Sequence, residues 1–378
     1  MDFHYRSLIA LPEAIPDVQV EVDDQVDKHT LNTLAHDSTI LGFSPVMPMT
    51  LIEPVEAETS EVEPADEADA TWGVEAVGAT TSPFTGAGTT VAVLDTGIDA
   101  DHVAFAGMKL VTKDFTSSGT AHDDHGHGTH CAGTIFGRAV DGRRIGIATG
   151  VSRAVIGKVL GPGGGSSDML TSAMIWARDN GAQIISMSLG IDFPGYVESL
   201  VRQHGLRVSA ATSIGLHAYA SNVKLFETLS QFLAAGAGQP MIVAATGNES
   251  GRKATPPFEI NVACPAAAAG TIAVGALERT SAGLDVASFS NTLATVSAPG
   301  VGVISAKAGG GTVSYNGTSM ATPHVAGIAA LWAEKLTRNN QLGPLTLQSK
   351  LIGSSRVDAL VSSFDPLAVG AGLVRAPQ

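Results

Sequence analysis

"TTVAVLD", residues 89–95, is a short apolar run rich in β-branched residues that ends on a carboxylate. Its length and composition suit a strand buried on both faces. The same texture returns in "AVIGKVL" (154–160), "QIISMSL" (183–189), "MIVAAT" (241–246) and "TIAVGA" (271–276), with helix candidates at 167–180 and 221–235. Continuous β-rich runs separated by helices predict an α/β fold, a mostly parallel central sheet with helices on both faces. In such sheets chemistry gathers beyond the carboxyl ends of the strands, which is where Asp95 falls.

The chain has 378 residues, enough for one large core or two ordinary domains. Its net charge of −14 argues against nucleic acid or an anionic membrane as partner. No apolar run reaches membrane-spanning length. The start, "MDFHYRSLIALPEAIPDVQVEVDD", has no basic stretch followed by a long apolar one. A cytoplasmic protein without a signal peptide is therefore expected. Two cysteines, Cys131 and Cys264, make no disulfide framework and are expected to be reduced.

Three segments are expected. Residues 72–378 carry the α/β pattern. Residues 53–71 form an acidic linker: "EPVEAETSEVEPADEAD" (53–69) holds eight acidic residues and no lysine or arginine. Residues 1–52 are an N-terminal segment whose piece "ILGFSPVMPMTLI" (40–52) reads as a small subdomain or a docking strand. The run "GPGGGSS" (161–167) sits between strand and helix as a phosphate loop would, but it lacks a P-loop lysine.

Three loops carry candidate chemistry. Asp95 in "VLDTGID" reads, alone, as a turn or cap former. "HDDHGHGTHCAG" (122–133) packs four histidines and two aspartates into nine residues, a density typical of transition-metal sites. His125, His127 and His130 resemble the front of the HxHxDH pattern of binuclear zinc hydrolases, although Thr129 stands where that pattern needs an aspartate. "YNGTSMATPHVAG" (315–327) puts Ser319 before apolar residues at helical spacing. A buried helix is expected to begin at or just before Ser319, with Pro323 in its first turn. Alone, that serine reads as an N-cap.

Together, "VLDTGID", "HGTHCAG" and "NGTSMATPHVAG" resemble the three signature blocks of the subtilisin-like serine proteases, the subtilases, and "HGTHC" is similar to the proteinase K branch. The resemblance runs from about Trp72 to "VGAGLVRAP" and implies a three-layer subtilisin-like catalytic domain. It implies a serine endopeptidase with Ser319 as nucleophile, His127 as base, Asp95 orienting the ring and Asn248 as oxyanion donor. A peptide-binding pseudoprotease and a zinc-dependent hydrolase are the alternatives. The resemblance also implies a protein or peptide substrate bound extended in the cleft. Ser188, Leu189 and Gly190 would line one side and Gly164, Gly165 and Ser166 the other, with Ala263 at the base of a pocket for an apolar residue. No metal ligand is assigned and no cofactor is expected to be required. Calcium stays open, but the family's strong site is replaced, with Ala104, Arg143 and Arg144 at its positions. Residues 191–220 are longer than the family pattern, either restricting access to the cleft or elaborating the surface. By position, residues 1–52 resemble a pro-region, a self-supplied inhibitor of a zymogen, with processing in the acidic linker or near Trp72.

Overall fold

The computed structural model describes residues 20–22, 28–55, 69–235 and 239–378. Much of the expected N-terminal segment (1–19 and 23–27) and of the acidic linker (56–68) lies outside the described residues.

The chain begins with helix α1 (Lys28–His36) and strand β1 (Pro48–Leu51), then α2 (Trp72–Ala76), β2 (Thr90–Asp95), β3 (Lys109–Asp114), α3 (His127–Phe136) and β4 (Arg153–Lys158). Next come β5 (Gly165–Ser166), α4 (Ser167–Asp179), β6 (Ile184–Met187), β7 (Leu189–Ile191), α5 (Phe193–His204) and α6 (Val208–Ala235). The last third holds β8 (Met241–Ala245), β9 (Thr271–Thr280), β10 (Gly283–Val286), β11 (Val296–Pro299), β12 (Val303–Ala306) and β13 (Thr312–Tyr315). It closes with α7 (Thr318–Arg338), α8 (Pro344–Ser354) and α9 (Pro366–Val369).

The large sheet runs β10–β9–β8–β6–β2–β4–β3, with β11 also paired to β9. Among the described residues, only β10 pairs antiparallel within it. This is the expected α/β architecture. Side-chain alternation divides the core in two. Val91 and Val93 of β2 face one apolar cluster, shared with α3 and α7, while Ala92 and Leu94 face the other, shared with α4 and α6. Burial on both faces is why β2 reads as a continuous apolar run rather than an alternating one.

Three readings change in the structure. Helix α6 starts at Val208, well before residue 221, because the alanines and serines of its first half form helix without marking a clear apolar stripe. Helix α7 starts at Thr318 after Gly317, which places Pro323 beyond the first turn. The proline cannot bond back to the Ser319 carbonyl, and that oxygen instead accepts from Ser188 Oγ (3.2 Å) and Cys131 Sγ (3.4 Å). The glycine run at 161–167 forms a tight Gly161–Gly164 turn leading into β5. There it joins a second, three-stranded sheet ordered β5–β1–β7, antiparallel throughout.

Candidate functional site

Asp95 ends β2 in the middle of the large sheet, and α3 opens beside it with His127. His127 Nδ1 and Asp95 Oδ1 are 2.8 Å apart, and both side chains are buried. The approach depends on glycine: a Cβ at Gly128 would overlap the carbonyl of Gly97. The start of α3 is held by Asp123, a buried carboxylate. Its Oδ1 accepts from Thr96 Oγ1, His125 N and Gly126 N, and its Oδ2 from Thr129 N and Oγ1. Burial works against that charge, but the hydrogen bonds from Thr129, Gly126 and Thr96 outweigh it and hold Asp123 below the usual carboxylate pKa. Thr96 Oγ1 also accepts from Gly128 N, linking the Asp95 loop to the helix.

Burial also works against a charged His127, yet the Asp95 carboxylate prevails and raises the ring well above the ordinary imidazole pKa. Cys131 follows four residues later on the same helix face, with Sγ 3.8 Å from His127 Nδ1. Burial pushes its thiol pKa up. Donor atoms of Asp95, His127 and Cys131 all lie within 4.8 Å of one another. Carboxylate, imidazole and thiol form a donor set able to hold a transition metal. This corrects the expectation of a site that requires no cofactor and carries no metal ligand. An ion taken there would displace the Nδ1 hydrogen bond to Asp95. The three histidines of the zinc-like motif do not converge: His130 turns Nε2 onto the Val303 carbonyl, and the His125 ring stands 6.3 Å from that of His127. His130 is kept neutral, its pKa pushed down to about 3 by burial.

The serine-triad reading is corrected too. Around His127 the structure gathers Asp95 and Cys131, an Asp–His–Cys cluster, rather than a hydrogen-bonded Asp–His–Ser relay. Ser319 is fully buried and donates to the Ile52 carbonyl (2.9 Å), while His127 Nε2 is buried without a hydrogen-bond partner among the described residues. An activated serine, the basis of the serine-endopeptidase and catalytic-triad assignments, is not what this arrangement displays. Asn248 accepts from Thr318 N (2.9 Å) and Thr318 Oγ1 (2.8 Å) and donates to the Glu53 carbonyl (2.9 Å).

Strand β1 brings the predicted substrate-binding residues together. Pro48 and Met49 pair with Ser166 and Gly165 on one side; Met49, Thr50 and Leu51 pair with Ile191, Gly190 and Leu189 on the other. Gly164 lies close behind, where a Cβ would stand 2.8 Å from the Met49 carbonyl. Ile52 N donates to the Ser188 carbonyl (3.4 Å). A Cβ on Gly190 would meet Ala263 Cβ at 3.4 Å and Ile52 Cδ1 at 3.8 Å, so Ile52 rests against the Gly190–Ala263 wall. Beyond it, Val55 and Asn316 exchange two hydrogen bonds. A cleft of about 830 Å³ runs beside the strand, between Leu51 and the turn at Gly161–Gly164. Sequence reasoning missed Asp123, Cys131 and Ile52 as members of this site. The i, i+4 spacing from His127 to Cys131 was a usable signal; the apolar piece 40–52 marked a docking strand but not which of its residues meets Ser319.

The family model described as "Subtilase family" matches residues 86–371. The chain is 33% identical over 343 residues to alkaline elastase YaB of a Bacillus species, covering 84% of this chain and 79% of that protein. It is 35% identical over 329 residues to a cuticle-degrading serine protease of Arthrobotrys oligospora, covering 80% and 68%. It is 31% identical over 375 residues to an alkaline protease of Alkalihalobacillus alcalophilus, covering 90% and 86%.

Proposed function

As the chain belongs to the subtilase family, we propose that it binds a polypeptide in extended form between β5 and β7 and hydrolyses peptide bonds. The observation that carries this reading is β1, a strand held antiparallel on both sides and ending with the Ile52 carbonyl at Ser319. Binding of this kind uses backbone groups and tolerates many sequences. Any outside chain competes with Pro48–Glu53 for the same partners, so this segment acts as an intramolecular inhibitor. We place "HGTHC" with the proteinase K branch, which the buried Cys131 beside His127 supports.

A second reading, peptide binding without turnover, is favoured by one observation: Ser319 Oγ is engaged with Ile52 and not with His127. Quenched-fluorescence peptides and mass spectrometry after fluorophosphonate and thiol reagents separate the two. Turnover with an adduct on one residue supports hydrolysis and identifies the reacting group. Peptide binding with neither turnover nor adduct supports the second reading. Turnover abolished by a chelator and restored by zinc assigns the chemistry to the Asp95–His127–Cys131 donors. Absence of both binding and turnover would overturn the proposal.

A further inference from the structure

Upstream of β1 the bound segment keeps its contacts. Ser167, nearly fully buried at the start of α4, accepts from Met47 N through Oγ (3.1 Å) and donates from its own N to the Met47 carbonyl (3.0 Å). Asn222, fully buried in the middle of α6, donates to the Pro45 carbonyl (2.8 Å) and to Ala218 O (2.9 Å). Its Oδ1 is buried without a partner among the described residues. An apolar residue would fill that place without leaving an oxygen unpaired, so what the amide adds is the bond to the strand. Side chains alternate: Met47 and Met49 are buried in the cluster shared with Leu170, Ala218 and Phe226, while Val46 and Thr50 face solvent. Tyr219 of α6 accepts from Cys264 N (3.0 Å), tying the helix to the wall that receives Ile52.

Resting on the cleft reading above, we propose that α6 and Ser167 form an additional polypeptide subsite. It reads the positions of Pro45 and Met47, ahead of the residue delivered to Ser319. The class of chain it takes is an extended polypeptide with a long, unbranched apolar side chain at the position of Met47. Residues 208–235 are thereby a specificity element and not a surface ornament.

Hydrogen exchange on the full chain tests this, with β1 amides read relative to those of β8. Asn222→Leu, Ser167→Ala and Met47→Asp are each expected to speed β1 exchange by about tenfold, although none alters a β1 hydrogen bond. Val46→Asp, a change at an exposed neighbour, leaves it unchanged. Ser167→Ala removes one hydroxyl, so it keeps the test open if Asn222→Leu does not fold. In the Met47→Asp chain, a labelled peptide of the native 41–55 sequence should bind about tenfold more tightly than one of 48–55. Unchanged β1 exchange in the Asn222 and Ser167 variants, or equal binding of the two peptides, overturns the subsite. If β1 is unprotected in the unaltered chain and neither peptide binds, the cleft reading itself fails.

Discussion

On the His127 side of the cleft a single buried carboxylate, Asp123, receives five hydrogen bonds from loop and helix. On the other side a 28-residue helix, α6, contributes apolar side chains and one amide to hold the strand. Directional bonds fix the start of α3 and so hold His127 beside Asp95. Apolar packing fixes less, since it selects a side chain by size and hydrophobicity and not by direction.

The strongest way to break this contrast is Asp123→Ala. It strands several buried donors at once, and a loss of about 3–5 kcal/mol is expected in urea denaturation. Acid attacks the same side more gently. His130 and His324 are kept neutral by burial, with pKa values pushed down to about 3 and about 4. Below about pH 6.5 the unfolded rings take protons that the folded rings refuse, so stability falls as pH drops. By pH 4.5 each ring should cost about 3 kcal/mol, and replacing His324 with Gln should flatten part of the profile, measured by denaturation at several pH values. On the α6 side, Met49→Ala is expected to weaken β1 by about 2 kcal/mol, read as faster β1 exchange with the thermal midpoint little changed. Zinc titration sharpens the contrast from the His127 side. Uptake should displace the Nδ1 proton shared with Asp95, visible by NMR, and Cys131→Ala should weaken it by about tenfold. The smallest effect belongs to the rim. His125→Ala removes a 3.6 Å contact between the exposed side chains of His125 and Glu53 and should change β1 exchange by no more than about 0.5 kcal/mol.

How much of this was legible follows from how each part is held together. The central strands announce themselves because burial on two faces demands unbroken apolar runs, and β2, β4, β6, β8 and β9 fall where those runs lie. Asp95 and His127 are visible because each stands at the end of an element beside glycines that permit close approach. Ser319 was visible as a residue but not in its partner: whether its hydroxyl meets His127 or Ile52 depends on contact with a segment more than 260 positions away. The true start of α6 was hidden for a different reason. Ala210, Ala211 and Ala218 suit helix anywhere, and the apolar stripe that would orient it begins only where β1 packs against it. Pro323 was placed one turn too early because its lost hydrogen bond is compensated by Ser188 and Cys131, neither adjacent in sequence.

Because Leu51 and Trp72 belong to one chain, the strand in the cleft is not diluted when the protein is. Its effective concentration, on the order of millimolar for tethers of this length, is the same in a test tube and in a crowded mixture. Under the binding proposed above, an outside polypeptide would meet a site held by Pro48–Leu51, and its apparent affinity would be reduced to the fraction of molecules in which the strand has let go. Dilution therefore leaves the cleft closed. Severing the tether would turn a unimolecular equilibrium into a bimolecular one, and only then would dilution open it.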